Sequence, residues 1–389
     1  MRPLRIAQLA APLETVPPEK YGGTERVIST LTEELVRRGH SVTLFASGDS
    51  STSALLVPTV EKALWHDPRC HEHLPHVMVA IDMAYRRRGE FDIIHNHLEW
   101  MAFPAAQACH GTPTLSTIHS RLDISDQQAA HRHFAGAPLV SISNAQRSPL
   151  PGANWVATVY NGIEMPPHQP TPSSRGYLAF LGRISPEKGL DTAIEVARRA
   201  GLPLKIAARM PLDDPDNQEA QRDWRYYHEA VEPHLKGPGV DYLGELGTAD
   251  KHAFLAGAMG LLFPVRWPEP FGLAMVEALA CGTPVIALRR GSVPEVIEHG
   301  ITGFVADDED GLVRAVSRLG EIDPARCRAV VERRFSPSAM AEGYEQAYYR
   351  LLGMVPPDGL TVAWPSNDGA QTRVPILTAA ALRTSVSPH

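Results

Sequence analysis

Cysteine is scarce. The 389-residue chain has four, Cys70, Cys109, Cys281 and Cys327, and none forms a Cys-x-x-Cys pair. Spacing that wide excludes a disulfide scaffold and a zinc ribbon, and it fits a reducing compartment. Long apolar runs are missing as well, and no stretch approaches the roughly twenty residues that a membrane span needs. The opening segment MRPLRIAQLAAPLE places basic residues before apolar ones, but Gln8, Pro12 and Glu14 interrupt it. It reads as a first strand, not a leader. The expectation is a cytoplasmic protein whose membrane contact is at most peripheral. Positive charge is short too: 37 Lys and Arg face 44 Asp and Glu, for a formal charge of −7. That argues against a nucleic-acid partner. The one basic run, Arg86-Arg87-Arg88, reads as a solvated helix end.

What is present is ordinary globular material, 43% hydrophobic and 21% charged, in a chain too long for one compact core. Short apolar runs alternate with helical patterns, the mark of parallel α/β architecture. Strands are expected at 5–10, 41–46, 92–94, 114–117, 139–142 and 156–159. A helix is expected at 24–38, where Val27, Ile28, Leu31 and Leu35 share one face and Gly39 stops the turn. Residues 166–175 are rich in Pro and Ser and read as a linker. A second series follows, with strands at 177–181, 204–208, 240–244, 260–264, 284–287 and 304–305. Its helices are expected at 189–200, 249–257, 273–280 and 293–298. The fold class is therefore α/β, with two Rossmann-like doubly wound domains, 1–165 and 176–335, facing across a cleft. An amphipathic helix at 336–352 follows, and 353–389 carries no pattern that assigns it a fold or a role.

Ligands of open parallel sheets bind at the loops leading from strands into helices. The strongest such loop is Trp267-Pro-Glu-Pro-Phe-Gly-Leu-Ala-Met-Val-Glu277. Phe271, Gly272 and Leu273 open a helix whose free N–H groups and positive dipole end suit a diphosphate. Glu269 before that helix and Glu277 within it can accept hydrogen bonds from sugar hydroxyls. A capping charge and a surface residue are the plain alternatives, but the MVEALA helix is too apolar for a solvated element. In Leu181-Gly-Arg183-Ile-Ser-Pro-Glu-Lys188-Gly189, two cations at a strand-to-helix switch can neutralise a diphosphate leaving group. The plain alternative is a basic turn with Lys188 paired to Glu187 or Glu195. Tyr21-Gly22-Gly23-Thr24-Glu25 lets backbone approach a ligand, a weak signal on its own. His119 ends another strand, as do His95 and His97, and such a histidine facing the cleft can meet a sugar or a developing charge. For His95 and His97 a purely structural role is as good a reading.

These residues resemble a known family. The run E-P-F-G-L-x-x-x-E-A-x-A-C-G-T-P-V-I-A from Glu269, then Gly291-Ser-Val-Pro-Glu295 and Gly300-Ile-Thr-Gly-Phe304, is similar to the family-four retaining glycosyltransferases of GT-B fold. So are G-R-I-S-P-E-K-G at 182–189, Y-G-G-T-E-R-V at 21–27 and N-G-I-E at 161–164. The resemblance spans roughly residues 5–352 in order. It implies a nucleotide diphosphate sugar held mainly by the C-terminal domain, and a hydroxyl acceptor of unknown kind (glycan, lipid or small metabolite) on the N-terminal one. It implies no cofactor and no divalent metal. By it, Glu277 holds the ribose, Glu269 the sugar hydroxyls, Arg183 and Lys188 the diphosphate together with the amides of Gly22–Gly23 and Phe271–Leu273. His119 contacts the sugar, and helix 336–352 returns to the first domain. Arg209 and Arg290 stand where the family pattern differs, which leaves the base open, with UDP-sugars the first expectation and GDP-mannose the second.

Other signals are set aside. The segment 66–76 (HDPRCHEHLPH) fits no zinc framework, and Pro68 and Pro75 point to an irregular loop. The pairs Asp214/Asp216 and Asp308/Asp310 mimic a metal-binding D-x-D but lie in turn-rich, charged loops. The competing functions are a phosphorylase or epimerase of the same fold, and a catalytically silent nucleotide-sugar-binding protein.

Overall fold

The computed structural model describes residues 2–20, 22–167, 175–214, 216–235 and 237–354. Tyr21, most of the expected linker and the tail beyond Met354 lie outside the described residues. The first half runs β1 (Arg5–Leu9), α1 (Gly23–Arg37), β2 (Ser41–Ser47), β3 (Leu55–Val60), α2 (Leu74–Arg86) and β4 (Ile93–Asn96). It continues with α3 (Phe103–Ala108), β5 (Thr114–Ile118), α4 (Ser125–His133), β6 (Leu139–Ser141) and β7 (Trp155–Thr158). The second half runs β8 (Leu178–Arg183), α5 (Leu190–Ala200), β9 (Leu204–Arg209), α6 (Gln218–Tyr226), α7 (Glu232–Leu235), β10 (Val240–Tyr242) and α8 (Thr248–Ala256). Then come β11 (Gly260–Phe263), α9 (Leu273–Ala280), β12 (Val285–Leu288), α10 (Val293–Val296), β13 (Gly303–Ala306), α11 (Glu309–Val316), α12 (Pro324–Arg334) and α13 (Pro337–Leu351).

The strands form two wholly parallel sheets, ordered β3-β2-β1-β4-β5-β6-β7 and β10-β9-β8-β11-β12-β13. Helices cover both faces, so the inner strands are buried along their whole length, as in β4, β5, β11 and β12. This is the two-domain Rossmann-like α/β architecture expected from the sequence. Strand order reverses between β1 and β4 in one sheet and between β8 and β11 in the other. At such switch points neighbouring loops part and leave a crevice.

The sequence reading left helices α3, α4, α6, α7, α11 and α12 unassigned, and three further elements differ from it. Strand β3 was not expected; it is an edge strand that tolerates Pro58, and its half-exposed residues show no clean apolar run. Helix α2 begins inside the segment read as a loop, because Pro75 sits in its first turn, where a missing N–H costs nothing. The helix expected at 293–298 ends at Val296, and Ile297 is already extended.

Helix α13 belongs to the first domain's core, although the fourteen elements from β8 to α12 separate it from that domain in the chain. Met340, Ala341, Tyr344, Ala347 and Tyr348 pack with Leu4, Ile6, Leu31, Ile93, Leu115 and Val140 in one buried cluster. The anchor is ionic. Buried Glu345 accepts from His40 Nε2 at 2.9 Å and Arg38 Nη1 at 2.8 Å, while His40 Nδ1 accepts from the Leu4 amide at 3.0 Å. That second bond fixes His40 with its proton on Nε2. The hydrogen bond from His40 and the charge of Arg38 outweigh burial and hold the Glu345 carboxyl below its usual range. Glu345→Ala should therefore cost about 3 kcal/mol in urea unfolding at neutral pH. The penalty should shrink as pH falls through the depressed carboxyl value, where the native carboxylate is lost anyway. A constant penalty down to acid pH would contradict the ionic account.

Candidate active site

Close backbone packing shapes the second domain's wall of the cleft. After β8 the chain turns through Pro186–Lys188 to Gly189, whose φ is 71°. A Cβ there would lie 2.4 Å from the Pro264 carbonyl oxygen, so glycine alone brings this loop against the loop after β11. That second loop is clamped from below. A Cβ on Gly291 (φ 54°) would lie 2.3 Å from the backbone N and O of Glu269. The Ser292 amide donates to Glu269 O at 2.9 Å, and Ser292 Oγ donates to Phe271 O at 2.9 Å. Gly272, at φ 82°, then turns the chain into α9.

The side chains of this wall are already paired. Glu269, only 7% exposed, accepts from Lys188 Nζ and Trp267 Nε1, both at 2.7 Å, and Lys188 lies 4.7 Å from the centre of the Trp267 indole. The partner of Lys188 is thus Glu269, not Glu187 or Glu195. Glu277 accepts from Lys251 of α8. Arg183 donates to Glu187 and, at 3.1 Å, to Glu219. Glu187, Glu219 and Asp223 come together there, held by Arg183 and Arg222. Arg209 ends β9 with its guanidinium 5.7 Å from the Trp65 ring of the first domain.

The facing wall is built on the N-terminus of α1. A Cβ on Gly22 would strike Pro18 at 2.6 Å, and one on Gly23 would sit 3.4 Å from Leu273 Cδ1. Two helix N-termini, those of α1 and α9, therefore meet across the cleft. His119 follows β5, and its Nε2 lies 2.9 Å from His97 Nδ1. The backbone N–H groups of His119 and Ser120 both donate to Glu99 Oε1, at 2.9 and 3.0 Å. Glu99 holds φ at 53°, a costly conformation for a residue with a side chain. Burial pushes its carboxyl up to about 7 and pushes His119 down to about 4, so His119 is neutral at physiological pH. Arg121 crosses toward the second domain's wall, 5.1 Å from the Trp267 ring.

These walls enclose a cavity of about 560 Å³, within the range of small-molecule sites. Gly22, Gly23, His119, Arg183, Lys188, Arg209, Glu269, Phe271, Gly272, Leu273 and Glu277 all line it. His95 and His97 do not; they are buried behind His119. Sequence reasoning missed Lys251, Trp65, Arg121 and Glu99. Nothing near Lys251 in TADKHAFLA distinguishes it from a surface helical lysine, and its partner is 26 residues away. In the D-x-D mimics, Asp308 caps α11, Asp310 pairs with Arg199, and Asp214 Oδ1 accepts from the Asp216 amide at 3.2 Å.

Two outcomes follow from this geometry. Gly291→Ala should lower stability by about 2 kcal/mol in urea unfolding, because the left-handed backbone and the Glu269 contact both oppose a side chain. For Glu99 the native pKa is raised, so native stability is lost as pH rises from the unfolded value of 4.5 to about 7. Relative to the parent, Glu99→Gln should gain about 3 kcal/mol between pH 4.5 and pH 8. An unchanged difference across that window would show that Glu99 is already ionised at low pH.

The Glycosyltransferase Family 4 profile matches residues 21–164, and the Glycosyl transferases group 1 profile matches residues 163–333. The chain is 24% identical to the D-inositol 3-phosphate glycosyltransferase of Mycolicibacterium smegmatis, over 90% of this chain and 92% of that protein. Among solved structures it is similar to AviGT4, a glycosyltransferase involved in avilamycin A biosynthesis. The TM-score is 0.68 and the identity 22%, over 90% of this chain and 98% of that one. It is also similar to Anabaena HepE in complex with UDP-glucose, with a TM-score of 0.67 and 17% identity over 90% and 100%. Among the described residues no helix is long and apolar enough to cross a membrane. Two profiles in tandem along most of the sequence, on two facing parallel sheets, place this chain in the group 1, family-four glycosyltransferases of GT-B fold, enzymes of carbohydrate biosynthesis.

Proposed function

We propose that this glycosyltransferase moves a hexosyl group, with retention, from a nucleotide diphosphate sugar to an acceptor hydroxyl without a divalent metal. One observation carries the reading: two cations, two helix N-termini, two hydroxyl-accepting carboxylates and a neutral histidine line a single cavity of donor size. The diphosphate lies between Arg183, Lys188 and the amides of Gly22–Gly23 and Phe271–Leu273. There the helix dipoles and charges stabilise the negative charge that builds as the sugar leaves. Glu277, steadied by Lys251, accepts from the ribose, and Glu269, steadied by Lys188 and Trp267, accepts from the hexose. The acceptor enters along the first domain's wall and attacks on the face the leaving group departs. A phosphate oxygen takes the hydroxyl proton, and no protein nucleophile is assigned. A UDP-sugar is the donor to test first, since HepE binds UDP-glucose with a similar fold, and GDP-mannose the second.

A thermal-shift screen of UDP-, GDP-, ADP- and dTDP-sugars identifies the donor, and acceptor-dependent release of the nucleoside diphosphate in excess chelator then tests the transfer. Loss of turnover with chelator, restored by a divalent cation, contradicts metal independence. No turnover with any of these donors contradicts the transfer. Glu277→Ala should weaken nucleotide binding by about 1.5–3 kcal/mol in calorimetry, the range for a hydrogen bond to a charged group. Unchanged affinity would remove the ribose role.

A further inference from the structure

Behind His119 lies a chain of buried polar side chains that the proposed reaction does not use. His97 Nδ1 meets His119 Nε2 at 2.9 Å, and His97 Nε2 meets Gln8 Oε1 at 2.7 Å. A second strand of the network joins Tyr348 Oη to His95 Nδ1 at 2.7 Å, His95 Nε2 to Thr117 Oγ1 at 2.7 Å, and Thr117 Oγ1 to Tyr344 Oη at 3.0 Å. The His95 and His97 rings lie against each other, 4.0 Å between centres. Gln8, His95, His97, Thr117, Tyr344 and Tyr348 are all almost fully buried.

Burial keeps all three imidazoles neutral, so each carries one N–H and each bond between them has one donor. The directions can then be read from the far end. Thr117 donates to Tyr344, so Thr117 Oγ1 accepts the Nε2–H of His95. His95 Nδ1 is then bare and accepts the hydroxyl proton of Tyr348. In the other strand of the network Gln8 presents its Oε1 to His97 Nε2 at 2.7 Å, and its buried Nε2 makes no hydrogen bond. His97 donates from Nε2 to that oxygen and is left with a bare Nδ1. His119 must donate to that atom from its own Nε2. Its Nδ1, the ring nitrogen left for the cavity that His119 lines, carries no proton.

We infer that Gln8 is a positioning residue for His119: through His97 its amide holds His119 in the Nε2–H form, so that a bare Nδ1 faces the cleft as an acceptor for a substrate hydroxyl. The inference rests on the donor site proposed above, and it deepens that proposal by making the His119 contact a directional one. A substrate group that can donate there is favoured, and an ether, a deoxy position or a bare phosphate oxygen is not. The opposite polarity, set by a Gln8 amide rotated by half a turn, would offer an N–H instead and reverse that preference.

The test is nitrogen NMR of the full chain labelled at histidine, with His119→Gln identifying the His119 signals. At pH 7.5 the parent should show Nε2 protonated and Nδ1 bare. Gln8→Met should give a mixture of the two neutral forms. Gln8→Glu, whose buried carboxyl offers the same acceptor and donor pair as the amide, should restore the parent form. Adding UDP-glucose should move the Nδ1 resonance, and UDP alone should not. A parent protonated at Nδ1, or a Gln8→Met spectrum identical to the parent's, overturns the inference, as does UDP-glucose binding that leaves Nδ1 unmoved. The parent spectrum decides the polarity even if Gln8→Met folds poorly. Absence of binding by both UDP and UDP-glucose counts against the donor assignment, which the tautomer measurement does not use.

Discussion

Two helices start on opposite walls of the cleft, with Gly23 of one in reach of Leu273 of the other. The first N–H groups of a helix have no partner inside it, and leaving them dry costs free energy. Two such ends pointing into one cavity make a place where negative charge is more stable than in water. The surrounding sequence serves that constraint. Gly189 and Gly291 let three loops pack backbone against backbone, and Gly272 turns one of them directly into α9. Larger residues at these points would push the loops apart and with them the helix ends.

The carboxylates of the second domain's wall would be costly neighbours for a diphosphate, the ligand proposed for this cavity, if they stood alone. Each is matched instead with a cation: Glu269 with Lys188, Glu277 with Lys251, Glu187 and Glu219 with Arg183. The wall is thereby close to neutral before a ligand arrives, and its acids are oriented as acceptors. Such prearranged dipoles and charges need little reorganisation when the ligand's charge shifts. The first domain contributes differently, through neutral groups. Its histidines are held uncharged by burial, and a strained glutamate secures the loop carrying one of them by two amide hydrogen bonds.

Much of this was legible in the residues because the signals were local. Glycines, prolines and acids within the 267–277 loop announce a helix start at a cleft, and Arg183 and Lys188 stand beside a strand end. The alternation of strands and helices gave the architecture, and boundaries shifted by a residue or two. What escaped depends on distant partners. Lys251 looks like any surface lysine until α8 is laid against α9, and Gln8 looks like an interruption in a strand until His97 is placed beside it. Glu99 lies two residues from His97, yet its role comes from amides about twenty residues further on. Strand β3 escaped because an edge position imposes neither continuous apolarity nor freedom from proline.

The first domain's interior is shared between β1, near the start of the sequence, and α13, more than three hundred residues later. Tyr344 and Tyr348 close a polar network begun by Gln8, and the face they cover includes Leu4, Ile6 and Leu115. A nascent polypeptide released from the ribosome only as far as the first domain leaves that surface bare. Native burial there waits until the whole second domain has been synthesised. The two lobes are thus obliged to mature together, and a fragment ending at the interlobe connection is a candidate for chaperone capture rather than an autonomous unit.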